Sequence, residues 1–182
     1  MTTMTYILTL GIYLTVFAYG RAGEKVRSDN NENQMFNSKS IDSLYDKHID
    51  QVSFGIFCGE CSHNCATMYR YSMVGNQNSL FVDHTDSYFN NYGKISFGTQ
   101  ITDKNKLAIA DKIVKNIPDN LLTTKKSIET FGCPDCTDGC GIYFEIHQGK
   151  TTKKFYIDYS NSEMPKEIQK FAEFLKTNIR KL

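Results

Sequence analysis

The sequence has no tryptophan, no Asn-x-Ser/Thr triplet and no cysteine before Cys58. The missing triplet means that an N-glycosylated surface is not indicated, and no cysteine is placed to carry a lipid near the N-terminal segment. No charge of one sign is in excess either, since 21 Lys and Arg face 20 Asp and Glu. That balance supplies neither a polyanion-binding face nor an acidic tail, and it speaks against nucleic acid as a partner. GxSxG, HExxH, a phosphate-cradling glycine loop and any Ser/His/Asp grouping are absent, so the signatures of common hydrolases, zincins and nucleotide-binding proteins are not met. The histidines, His48, His63, His84 and His147, show no metal spacing among themselves.

No apolar run is long enough to span a bilayer. The stretch TYILTLGIYLTVFAY, Thr5–Tyr19, covers 15 residues, short of the ~20 that a crossing helix needs. Small residues at Ala18, Gly20 and Ala22 close it, which is the pattern of a secretory h-region followed by a cleavage site. No Lys or Arg precedes Arg21, so a basic n-region is missing. The expected organisation is a signal peptide over 1–22, a flexible polar and Asn-rich linker over 23–48, and one domain over 49–182. Removal of the first segment leaves no permanent membrane span. Hydrophobic residues make up 40% of the chain, with 11 Tyr and 12 Phe, enough apolar side chain to exclude global disorder.

The strongest signal is an internal repeat. CGECSHNCATMYRYSM from Cys58 lies over CPDCTDGCGIYFEIHQ from Cys133 at an offset of 75 residues, so that Cys58, Cys61 and Cys65 match Cys133, Cys136 and Cys140. The same offset sets SLFVDHTDS over KFYIDYSNS and matches Asp83 with Asp158. Further on, NKLAIADKIVKNI matches EIQKFAEFLKTNI at an offset of 62, so the first half holds about 13 extra residues, placed within Tyr88–Gln100. An insertion of this kind is a surface loop; it either completes the core as a hairpin or presents a binding loop. The halves are about 49–118 and 119–182, and their relation is expected to be pseudo-twofold.

In each half two runs rich in Tyr, Phe and Ile flank a turn: Ala66–Met73 with Leu80–His84, and Gly141–Gln148 with Phe155–Tyr159. Each pair reads as a β-hairpin. Val52–Phe57 and Ser127–Phe131 are candidate leading strands. Leu107, Ile109, Ala110, Ile113, Val114 and Ile117 fall at helical spacing, as do Ile168, Phe171, Ala172, Leu175 and Ile179. Neither half buries enough apolar area alone. The expected fold is α+β: an antiparallel sheet of four to six strands from two ββ(β)α repeats, with two helices packed on one face. Tyr69, Tyr71, Phe144 and Ile146 are expected as core residues rather than a ligand stripe.

Each copy offers C-x2-C-x3-C, for which three chemistries compete. Disulfides suit an exported chain with an even cysteine count. Three cysteines per half cannot all pair locally, so full oxidation requires at least one bridge between Cys58, Cys61 or Cys65 and Cys133, Cys136 or Cys140. Zinc is the alternative cofactor, since Cys58, Cys61, Cys133 and Cys136 form two CxxC knuckles able to make a four-thiolate site. His63 is an alternative ligand, although a loop histidine is the simpler reading. Thiol redox chemistry is third; Glu60 and Asp135 inside the CxxC turns work against a thiolate. Asp83 and Asp158 invite an acid/base pairing, against which stands the simpler role of turn aspartates bonding their own backbone.

FGIFCGECSHNCATMYRY together with GCPDCTDGCGIYFEI, a hydrophobic-Asp strand end and a C-terminal amphipathic helix resembles small secreted or lipoprotein-like proteins of Bacteroidetes with CxxCxxxC repeats. The resemblance covers about residues 50–180 and implies an extracytoplasmic protein, secreted, periplasmic or at the cell surface, with no activity attached. The expected function is an exported, non-enzymatic binding or interaction module for a protein or small ligand, stabilised by bridges between the halves and holding no cofactor. A zinc-binding module and a thiol oxidoreductase are the alternatives.

Overall fold

A computed structural model describes residues 48–182, apart from Asn76, Tyr92, Asp135, Thr137, Asp138, Asn161 and Ser162. The expected signal segment, and all but the last residue of the expected linker, lie outside the described residues. Among the described residues no helix is long and apolar enough to cross a membrane.

The strands are β1 (Gln51–Cys58), β2 (Ala66–Ser72), β3 (Ser79–Asp83), β4 (Thr99–Ile101), β5 (Ile128–Phe131), β6 (Cys140–Gln148) and β7 (Thr151–Asp158). The helices are α1 (Ser87–Asn90), α2 (Lys104–Lys115), α3 (Asp119–Thr123) and α4 (Lys166–Ile179). All seven strands form one sheet in the order β4-β3-β2-β1-β6-β7-β5. The fold is thus α+β as expected, with a larger sheet than four to six strands and with one parallel pair, β5 with β7.

Local chemistry explains why that pair is parallel. A two-residue turn at Gly149–Lys150 joins β6 to β7, and Gly149 takes the positive φ of 57° that tight hairpin turns favour. β7 therefore occupies one side of β6, while β1 occupies the other. Only the outer edge of β7 is left for β5. β5 runs opposite to β6, as β7 does, and hence along β7.

The two expected hairpins stand on either side of β1, and the 75-residue offset reappears as register. Met68 and Tyr143 both pair with Gly55, Tyr69 and Phe144 with Phe54, and Tyr71 and Ile146 with Val52. No twofold axis relates the halves, however. β2 and β6 are both antiparallel to β1 and therefore parallel to each other, which excludes an axis normal to the sheet. An axis along β1 would exchange the faces, yet Tyr69 and Phe144 are buried in the same core. The candidate leading strands also part company, β1 at the centre of the sheet and β5 at its edge.

One face of the sheet packs against the helices. Val52, Phe54, Tyr69, Tyr71, Leu80, Val82, Ile142, Phe144, Ile146, Phe155 and Ile157 meet Ala110, Ile113 and Val114 of α2, Leu121 and Leu122 of α3, and Ile168, Phe171, Ala172, Leu175 and Ile179 of α4. The apolar stripe of α4 recurs every three to four residues, so a single helix face is buried. Each large side chain on it contributes roughly 1.5–3 kcal/mol relative to exposure. At the start of α2 the Asp103 carboxylate caps the helix, accepting from the backbone N–H of Asn105 at 2.7 Å and of Lys106 at 3.2 Å.

The opposite face has a second, smaller core of Phe57, Ala66, Met68 and Tyr143, covered by Tyr88, Ile95 and Phe97 with Tyr156 beside them. These covering residues belong to the 88–100 stretch that the second half lacks. That stretch also supplies β4, which pairs with β3. The insertion therefore builds core and sheet together.

Candidate functional site

The cysteines gather at one end of the sheet. Cys58, the last residue of β1, and Cys140, the first of β6, are paired at the end of their ladder and are joined by a disulfide. Cys61 pairs with Cys65 and Cys133 with Cys136, and none of the described cysteines is free. The two motifs are neighbours: the Gly59 N–H donates to the Gly139 carbonyl at 3.1 Å. Of the four cysteines considered as zinc ligands, Cys58, Cys61, Cys133 and Cys136, each sits in a bridge, and no group of three or more His, Cys, Asp or Glu among the described residues is arranged to hold a metal. His63 is exposed, and its carbonyl faces the Cys61 sulfur at 3.2 Å.

The matched aspartates do not meet. β3 and β7 are separated by β2, β1 and β6, four inter-strand steps or about 19 Å, so Asp83 and Asp158 share no proton. Each instead stabilises the turn after its strand. Asp83 accepts from the Thr85 N–H at 2.8 Å and Asp158 from the Ser160 N–H at 2.7 Å, the same two-residue reach. Asp83 also binds the Thr85 hydroxyl at 2.6 Å and the Ser87 hydroxyl. Burial opposes its charge, but these hydrogen bonds outweigh burial and hold its carboxyl below the ordinary range. Asp158 accepts as well from the Cys133 N–H at 2.9 Å, tying the second cysteine loop to the sheet.

The other chemistry lies further along the second face, beyond the small core that the insertion covers. Register sets Phe81, Arg70, Ser53, Glu145 and Lys154 in one row across β3, β2, β1, β6 and β7. The adjacent row places Gln51, His147 and Thr152 side by side. Glu145 is 9% exposed. Its carboxylate accepts from the Tyr143 hydroxyl at 2.6 Å, contacts His147 Nε2 at 2.5 Å and pairs with Lys154 Nζ at 3.3 Å. Burial alone would raise its pKa, but the hydrogen bonds from Tyr143 and His147 and the nearby charges outweigh burial and leave it lowered. Tyr143 is driven upward by burial first and then by Glu145. The other ring nitrogen of His147, Nδ1, lies 3.1 Å from the Thr152 hydroxyl.

Arg70 differs from its neighbours. Its guanidinium lies 4.9 Å from the ring centroid of Phe81 and 4.8 Å from that of Phe97. Arg70 Nε and the Ser53 hydroxyl are buried and have no hydrogen-bond partner among the described residues. The members of this set lie far apart in sequence and form no local motif. The offset of 75 residues held the signal: it sets Arg70 over Glu145, and both flank Ser53.

Comparison with protein-family models, with curated proteins and with solved structures gives no match for this chain.

Proposed function

We propose that the chain works outside the cytoplasm, secreted, periplasmic or at the cell surface, as a non-enzymatic module that binds a protein or small ligand. Its halves are held by a disulfide between them, and the polar rows around Ser53 form its binding face. The observation that carries this reading is the Cys58–Cys140 bridge, which joins opposed residues of β1 and β6 across 82 positions of sequence. Such a bridge persists in an oxidising compartment and is kept reduced in most cytosols. Bound cofactor has no part in this reading.

Intact mass with and without reductant, non-reducing peptide mapping and metal analysis on the exported protein test it. The expected result is three bridges, Cys58–Cys140, Cys61–Cys65 and Cys133–Cys136, and no stoichiometric metal. Six free thiols with one zinc per chain would replace this reading by a zinc module built on Cys58, Cys61, Cys133 and Cys136. Catalysed reduction of a disulfide substrate would replace it by a thiol oxidoreductase.

A further inference from the structure

Arg70 is a cation of the second face whose charge meets no carboxylate among the described residues. Glu145, two strands away in the same row, is already met by Tyr143, His147 and Lys154. Beside Arg70, Ser53 is 1% exposed, and among the described residues its hydroxyl lacks a partner, as does Arg70 Nε. Buried polar groups are nearly always hydrogen-bonded, so two adjacent exceptions call for an acceptor.

We propose that Arg70 and Ser53 form a binding site for a carboxylate carried on an apolar body. The rings of Phe81 and Phe97 lie 4.9 and 4.8 Å from the guanidinium carbon and offer it no acceptor oxygen, so its N–H edge calls for one from elsewhere. That edge is the planar fork that matches the two oxygens of a carboxylate. Ser53 is the directly opposed residue on β1, and directly opposed side chains of an antiparallel pair lie about 4.5–5.5 Å apart at Cβ, within reach of the same anion. Charge selects a monoanion. His147 and Lys154 face Glu145, so the Arg70 guanidinium is the cation left for a ligand, and one carboxylate matches its charge. Phe97 and Phe81 supply the apolar surface beside the fork. The inserted stretch thereby adds one wall of the site as well as covering the core.

This deepens the reading of the chain as a binding module and rests on it. The test uses the full oxidised chain and follows backbone amide chemical shifts during titration with sodium benzoate, inorganic phosphate and neutral benzamide. Benzoate is expected to give saturable shifts at Ser53, Arg70 and their strand neighbours, with phosphate and benzamide weaker by about tenfold or more. Arg70→Gln and Arg70→Lys should each weaken benzoate by about tenfold or more, and Ser53→Ala by about fivefold. Arg70→Lys keeps the charge and removes the fork, so it stands in if Arg70→Gln does not fold. The site is overturned if benzoate gives no saturable shift, if it binds a folded Arg70 variant as tightly as the natural chain, or if phosphate or benzamide binds as well. Absence of benzoate binding in a chain with all three bridges removes this site and leaves the extracytoplasmic reading. Free thiols in a benzoate-binding chain do the reverse.

Discussion

Removing the Cys58–Cys140 bridge should cost far more stability than removing either local one. The three disulfides span sequence separations of 82, 4 and 3 residues. On the chain-entropy relation, closing a loop of about 82 residues removes about 15 cal/mol/K from the unfolded chain, or about 4.5 kcal/mol at 25 °C. The same relation gives about 2 kcal/mol or less for each local pair. The long bridge joins residues that the β1–β6 ladder already holds opposite each other. With a urea m-value of about 1.5 kcal/mol/M, the midpoint of Cys58→Ala/Cys140→Ala should fall by about 3 M and that of each local double variant by about 1 M. The chain has no tryptophan, so tyrosine fluorescence and circular dichroism are the probes. Equal midpoint losses in all three double variants would refute the argument, because loop length would then not govern the contribution.

Gly141→Ala should destabilise by about 1–3 kcal/mol, since an added Cβ would lie 2.3 Å from the Phe57 ring. Combining it with Phe57→Leu should recover part of the loss, and a strictly additive double variant in urea unfolding would count against that contact. Acid should also destabilise the fold. Glu145 and Asp83 both sit below their ordinary values of 4.5 and 3.8, so on acidification the unfolded chain takes up protons first. The stability they contribute is present above the ordinary carboxylate range and drains as pH falls through their lower folded values. Glu145→Gln should therefore differ from the natural chain more at pH 7 than at pH 3; an unchanged difference in urea midpoint between the two would refute the assignment.

The elements with a local cause were legible in the sequence, and their partners were not. Both hairpins, both long helices and the two leading strands lie where periodicity puts them, because alternation and helical spacing are properties of a few consecutive residues. The central place of β1 and the edge place of β5 depend on which strand edges remain free after β6 and β7 have paired. Burial on both faces also blurred the alternation. Six consecutive residues of β6, Gly141–Ile146, are buried, since Tyr143 and Glu145 are covered on the side away from the helices. Parity predicted a bridge between the halves, which the structure places at Cys58 and Cys140, but it carried no information about which cysteines would meet. The Arg70–Ser53–Glu145 row was hidden for a related reason. Its charges are opposite at equivalent repeat positions, and a comparison that seeks likeness passes over them.

The position of β1 also determines how the domain bears mechanical load. β1 follows directly on residues 48–50 and runs up the middle of the sheet, with a ladder on each side and the covalent tie at its far end. Tension applied at residue 48 along the strand loads both ladders in shear, so their rungs resist together instead of opening one by one. The bridge then acts as a stop: β1 cannot slide out past β6 while the sulfur–sulfur bond is intact. A domain tethered through the chain before residue 48 would thus be anchored by its most deeply embedded strand, and reduction of a single bond would turn that anchor into a strand held by hydrogen bonds and packing alone.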